Sequence, residues 1–303
     1  MKLNLSISQS KIARITIFFF AAFMTISTFV QAQDETVTDK PKPVTRTFRG
    51  PQLINMPTNE IIDGLTFGIQ HRFGQIIPKD ILYNFLGIDL SANIRFSLAY
   101  PIIKDRLMVE IGRTKTGKNL DLELKYQVLM QTEKNEMPVS VAIYVNPSLS
   151  SEKFSPPPSY AFFADSLTPF ENKFAHRLAY HYQIVIARKF SKKFSLQLEP
   201  VFIYKNLVEV GKENLTTAIQ AGTRFKFSKK GSIMAEYGYA FNNRDTSTVN
   251  PLSIGVEFST VGHVFQLVAS SSSDLLARDI YTSNNANFLK GNFFLGFNMK
   301  RFF

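Results

Sequence analysis

Cysteine and tryptophan are both absent from this chain of 303 residues. Without cysteine there is no disulfide scaffold, no thiol chemistry and no Cys-bound metal, so stability must come from backbone pairing and side-chain packing. Long apolar runs are also scarce. After one stretch near the start, Ile15 to Val30, none is long enough for a membrane-spanning helix. A chain that crosses a membrane beyond that point does so with strands. The formal net charge is +11, yet the basic residues form no long stripe interleaved with aromatics, which argues against a nucleic-acid partner. What the chain has in surplus is 29 Phe and 11 Tyr, a stock that a large β core or a pair of lipid-facing girdles would use.

The first segment reads as an export signal. Lys2, Lys11 and Arg14 precede the apolar run without an acid among them, and Val30-Gln31-Ala32 fits a small-residue cleavage site. Three domains follow from this: a signal peptide at 1–32, a partly disordered leader at 33–63 and a β domain at 64–303. Within the leader, 33–43 is polar and proline-bearing, whereas Phe48 to Thr58 mixes Gly, Pro and a short apolar core. The latter suggests an ordered but irregular segment ahead of the first strand.

From Gly64 onward, apolar and polar residues alternate with the two-residue period of a β-strand. Twelve segments show it: 64–73, 88–100, 107–112, 120–131, 138–146, 175–189, 194–205, 215–227, 232–241, 251–259, 263–270 and 289–303. In the second, Leu90, Ala92, Ile94, Phe96, Leu98 and Tyr100 alternate with Asp89, Ser91, Asn93, Arg95, Ser97 and Ala99. The last keeps the period to its final residue, with Phe293, Leu295, Phe297, Met299 and Phe303 on one face. Such an apolar strand left at an edge would invite aggregation, and pairing it with the first strand would remove the edge.

The connections sort by length. The odd ones, 74–87, 113–119, 147–174, 206–214, 242–250 and 271–288, are each longer than every even one. An outer-membrane barrel has this asymmetry, with short turns on the periplasmic side and long loops outside. The expected fold is therefore all-β, a transmembrane antiparallel up-and-down barrel of about 12 strands, located in the outer membrane after export. In the loop 147–174, three consecutive prolines and an aromatic cluster at Tyr160, Phe162 and Phe163 predict a fold over the mouth. Ser273 to Ile280 reads as one or two helical turns capped by Ser273.

If the apolar faces meet lipid, the opposite faces line the lumen. Its acids are Asp89, Glu110, Asp121, Glu123, Glu199, Glu236 and Glu257, and its bases are Arg72, Arg95, Lys125, Arg177, Arg224, Lys226 and Lys300. The two signs balance, which predicts cross-strand ion pairs rather than the single-sign rings of a selective pore. Twelve strands tilted by ~40° and spaced ~4.8 Å apart enclose a backbone radius of roughly 12 Å, so long side chains nearly close it. A narrow or plugged lumen is expected. The surplus bases at Lys192 and Lys193, Lys229 and Lys230, and Lys104 with Arg106 fall in short turns, where they serve solubility or meet anionic lipid headgroups.

Four histidines, His71, His176, His181 and His263, are the candidates for catalysis or metal binding. No HExxH, nucleophile elbow or Ser-His pairing accompanies them, although Ser270 to Ser273 lie downstream of His263. No catalytic residue, cofactor or metal site is expected.

Several short blocks carry a resemblance: Ile69-Gln70-His71-Arg72-Phe73-Gly74, Asn93-Ile94-Arg95, Ile111-Gly112-Arg113-Thr114, Gly262-His263-Val264-Phe265-Gln266-Leu267 and Gly296-Phe297-Asn298-Met299-Lys300-Arg301. They resemble the recurring blocks of a Bacteroidota-type outer-membrane β-barrel family of unknown function. The resemblance implies an exported barrel and supplies no substrate. The functional expectation is a narrow or gated conduit, or a structural or binding barrel with long external loops. Its partners would be outer-membrane lipid and the barrel-insertion machinery, the latter through the C-terminal strand. The alternatives are an outer-membrane enzyme acting on lipid and a secreted soluble β-sandwich.

Overall fold

The computed structural model describes residues 2–3, 41–153, 162–163, 167–243, 248–284 and 286–303. Most of the expected signal peptide and the leader as far as residue 40 thus lie outside the described residues, as does Tyr160. Twelve antiparallel strands form one closed barrel. The first six are β1 Thr66–Ile76, β2 Asn93–Ile103, β3 Leu107–Thr114, β4 Asn119–Leu129, β5 Ser140–Ser150 and β6 Leu178–Lys189. The second six are β7 Phe194–Lys205, β8 Leu215–Lys226, β9 Gly231–Ala240, β10 Leu252–Ser259, β11 His263–Ser270 and β12 Phe293–Phe302. Each strand pairs with its neighbour in sequence, and β12 closes the ring on β1, from Phe293 opposite Ile76 to Phe302 opposite Thr66. The soluble sandwich is thereby set aside.

Alternation decides which face goes where. In β2, Asn93, Arg95, Ser97 and Ala99 are buried within the barrel, while Phe96, Leu98 and Tyr100 stand exposed on its outer wall. Exposed apolar side chains recur around the circumference, among them Ile111, Leu122, Ile233 and Leu267. In water this wall would be unstable, and in a bilayer it is the ordinary outer face of a barrel.

Several boundaries move from the expected ones. β2 begins at Asn93, because 88–92 belongs to a turn around Gly87, whose φ of 83° suits only glycine. β5 runs on through Pro147 to Ser150. The loop sorting also has one exception: the third connection, 115–118, is a tight turn, and the fourth, 130–139, is longer. That fourth connection holds the incoming chain, with Val44 N–H donating to Gln131 O at 2.7 Å and Glu133 N–H to Lys42 O at 2.9 Å. The short helix α1 spans Ala277–Ile280 and follows Leu276, so Ser273 is not its cap.

Candidate functional site: a lumen filled from both ends

The segment between Val44 and the first strand turns into the barrel. Phe48, Leu53 and Ile54 are fully buried there and pack in one cluster with Ala142, Val185, Ala187, Met234 and Val268 of the wall. These wall residues are apolar on the face that a water-filled channel would keep polar, because the inserted segment takes the place of water. Gly222 of β8 makes room for it: a Cβ at that position would stand 2.7 Å from Leu53 Cδ2.

Polar wall residues hold the backbone of the same segment. The Glu236 carboxylate accepts three successive amides: from Ile54 at 2.7 Å, from Asn55 at 3.0 and 3.1 Å, and from Met56 at 3.3 Å. A run of backbone N–H groups around one carboxylate is a nest, and it compensates the desolvation of a buried acid. Lys125 donates to the Pro51 carbonyl at 2.6 Å and to that of Glu60 at 3.1 Å. Gln266 reaches Leu53 O at 2.7 Å, Asn298 reaches Ile54 O at 2.8 Å, and Gln197 reaches Pro57 O at 3.1 Å. Arg72 bridges Asn55 Oδ1 at 2.8 Å and Asn298 Oδ1 at 2.9 Å. The plug makes two short-range backbone bonds of its own, from Leu53 N–H to Met56 O and from Thr58 N–H to Pro51 O, both at 2.9 Å, and the wall supplies further partners that a buried chain requires.

The opposite end is filled by the loop between β11 and β12. Ala277, Ile280 and Tyr281 cluster with Val201, Ile203, Ala218 and Ala240 of the wall and with Met56 of the plug, so the two insertions share one core. Tyr281 Oη donates to Gln220 Oε1 at 2.6 Å, and a Cβ at Gly238 would stand 2.4 Å from that hydroxyl. Lys205 pairs with Asp279 at 3.1 Å.

Between plug and wall on the β2–β4 side lies an ion cluster. Arg95 is bound to Glu110 at 2.9 Å, Asp121 at 2.5 Å and Glu123 at 2.7 Å, and Lys300 reaches Glu110 at 3.3 Å. Across the barrel Arg224 pairs with Glu257 at 2.8 Å. Glu199 is buried and accepts a hydrogen bond from Gln183.

Of the fourteen expected lumen residues, Arg72, Arg95, Glu110, Asp121, Glu123, Lys125, Glu199, Arg224, Glu236, Glu257 and Lys300 therefore face inward. Lys226 sits at the mouth on the turn side. Two are displaced. Asp89 lies exposed in the turn before β2, because the strand starts later than its alternation suggested. Arg177 belongs to the 3-10 turn before β6 and donates to Ser150 O at 3.1 Å and to Glu152 O, anchoring the long loop outside the lumen. The neutral residues that grip the plug, Gln197, Gln266 and Asn298, were not singled out by a reading that counted charges alone.

Outside the strands, two acids carry perturbed affinities. Burial pushes Glu60 up to about 7 against the pull of the Phe48 and Thr47 amides, and burial beside Asp279 pushes Asp274 up to about 6. One lies in the plug and the other at the start of the inserted loop.

The histidines are separate. His71 stacks on Phe297 of the outer wall, His263 on Phe265, and His176 on Phe170 in the long loop, while His181 points inward against Tyr144. Ser270, Ser271 and Ser272 are buried inside, on the other face from His263.

No curated protein matches this chain. Among solved structures it is similar to the NanC porin, at 7% identity and a TM-score of 0.48 over 79% of this chain and 100% of that one. Similarity also extends to an outer membrane channel from Pseudomonas putida F1, at 12% identity and 0.46 over 80% and 97%. A third is outer membrane phospholipase A from Escherichia coli, at 10% identity and 0.44 over 91% and 96%. Residues 48–303, from the first buried apolar residue of the plug onward, match a family described as a membrane bound beta barrel domain, DUF5777, and the chain belongs to that family.

Proposed function

We propose that this barrel is a gated outer-membrane conduit, closed at rest by its own N-terminal segment. The observation that carries the reading is how the plug is held. A barrel meant to stay shut can be filled by the side chains of its own strands, whereas this wall directs Glu236, Lys125, Gln266 and Asn298 at the backbone of a separate segment. When the plug withdraws, those groups are suited to water. The short turns and both ends of the barrel domain then face the periplasm, and the long loops face outward. Signal-peptide cleavage near Ala32, insertion through the C-terminal strand and a Bacteroidota-type affinity belong to the same reading, supported by the export pattern and the blocks described above. The absence of an outward-facing Ser beside His263 among the described residues favours a conduit over a lipid-acting enzyme.

Planar-bilayer recording tests this. The intact protein should show rare, brief openings. Deleting 44–62 together with 274–284 should give a lasting ion conductance in a protein that still migrates differently when unheated and when boiled. A heat-modifiable double deletion with no added conductance would instead make the barrel a structural or binding element. For orientation, a cysteine at exposed Leu289 should react with an impermeant thiol reagent on intact cells and one at Lys230 should not. The sequence alone points to Ser159 and Asn285, in the two longest loops, as labelling sites, and both lie outside the described residues.

A further inference from the structure

The turn end of the barrel holds a second concave feature, which the plugged-conduit reading does not use. It is a basin of about 560 Å³, with a floor formed by Thr45 to Arg49 of the plug. The inner faces of the strand ends supply Lys189, Arg224 and Lys226, and the adjoining turns supply Lys192, Lys193, Lys229 and Lys230. With Arg46 and Arg49 from the floor, nine cationic side chains converge, and the described lining contains no carboxylate. Solubility of the turns accounts for the four turn lysines alone. It does not account for three bases on inward faces and two on the plug.

Some of these groups are already engaged and so held in place. Arg49 donates to Thr260 O at 2.7 Å, Lys189 donates to Thr45 O at 2.9 Å, and Arg224 is paired with Glu257. The remainder repel one another across a space smaller than a few Debye lengths of about 8 Å each, inside a low-dielectric ring that focuses their field. Burial, then the charge of Arg46, already lowers the proton affinity of Arg49, which fits a crowd of cations awaiting a counter-charge.

We infer that this basin binds a soluble anion carrying two or more phosphate groups, entering from the aqueous side. Phosphate oxygens match both the guanidinium forks and the ammonium points, and a multivalent anion offsets several repulsions at once. A lipid headgroup fits less well. Headgroups lie around the outside of the wall, whereas this site opens along the barrel axis and has the plug as its floor.

The probe is inorganic tripolyphosphate, titrated calorimetrically into the full mature chain in non-ionic detergent, with sodium chloride at matched ionic strength as the reference. Saturable binding is expected. The triple variant Lys192→Gln/Lys229→Gln/Lys230→Gln changes exposed turn residues only, and it should weaken binding at least tenfold while heat-dependent migration persists. The pair Lys104→Gln/Lys134→Gln removes exposed charge from the same end outside the basin, and it should change binding less than twofold. The inference is overturned if tripolyphosphate binds no better than matched chloride, or if the control pair loses as much as the triple variant. It is also overturned if binding appears only with phosphatidylglycerol-containing vesicles, which would give these lysines to headgroups. Because the readout is binding in detergent, it stands or falls independently of whether the barrel conducts.

Discussion

The two insertions that meet inside this barrel are built on opposite principles. The plug from the N-terminal side has apolar side chains in a small cluster but owes its position to hydrogen bonds from the wall to its backbone. The loop from the other side, with α1 at its tip, is held mainly by Ile280, Tyr281 and their apolar neighbours. A segment without secondary structure exposes every amide and carbonyl, and burial then requires a partner for each. The difference teaches where each is vulnerable. Charge and protonation control the plug, and side-chain volume controls the loop.

The largest effect is expected for Glu236→Ala. Three amides lose a charged acceptor, and at roughly 1.5 kcal/mol or more for each charge-assisted bond the plug's seat should weaken by several kcal/mol. Amide hydrogen exchange in 48–62 should accelerate by orders of magnitude while exchange in the strands is unchanged. Unaltered exchange in 48–62 would remove the nest from the account.

Next comes Ile280→Ala in the loop. Deleting three buried carbons costs about 2–4 kcal/mol in a close-packed site. Exchange should rise through 275–284, with a smaller rise at Met56, the plug residue that packs in the loop's cluster. Equal destabilisation of plug and loop would mean the insertions form one cooperative unit rather than two.

Protonation sharpens the same contrast. The affinity of Glu60 is raised in the folded protein from an ordinary value near 4.5 to about 7. The folded state therefore holds the proton more tightly than the released segment does, and the contribution is fully present below about pH 4.5 and lost as pH rises through about 7. Asp274, raised to about 6, adds the same sign at the loop. Openings should be more frequent at pH 8 than at pH 5.5, and Glu60→Gln, which mimics the protonated form, should flatten much of that dependence. A pH profile identical in Glu60→Gln and the parent protein would leave Glu60 without this role.

The smallest effect on the fold is expected at the C-terminus. Phe302 packs inward beside Ile62, Ala99 and Met108, whereas Phe303 is exposed outside beneath Arg301. The two terminal aromatics thus point to opposite faces, as strand alternation requires. Losing the partly buried Phe302 removes less than the ~1.5–3 kcal/mol of a fully buried side chain, and losing Phe303 costs little. The double deletion should still refold in detergent, and on the proposal that the C-terminal strand is what the insertion machinery reads, its level in the outer membrane should fall sharply. Normal assembly in cells, followed by membrane fractionation, would contradict that.

All twelve strands were legible from period-two alternation, because each wall residue has a fixed choice between lipid and lumen. The balance of lumen charges correctly anticipated ion pairing at Arg95 and Arg224. What alternation could not show was the position of Asp89, since a turn can imitate a strand for a few residues, nor the short third connection. The plug was half visible: Phe48 to Thr58 looked ordered, and the lumen looked too narrow to stay open. The signal that would have joined these two facts is the apolar residues on the inward face, such as Val185, Ala187, Val201 and Ile203. A channel wall has no use for them, and a filled one does. Contacts such as Gln266 to Leu53 join residues 213 positions apart and leave no local trace.

The most direct test of the removable plug uses the absence of native cysteine. Leu53 and Gly222 are in contact, so Leu53→Cys/Gly222→Cys places two thiols at one spot on plug and wall, joined by oxidation or a short bis-thiol reagent. Single-channel recording of one preparation before and after reduction should show silence in the linked state and a return of brief openings once the link is cut. The same open frequency in both states would contradict the account.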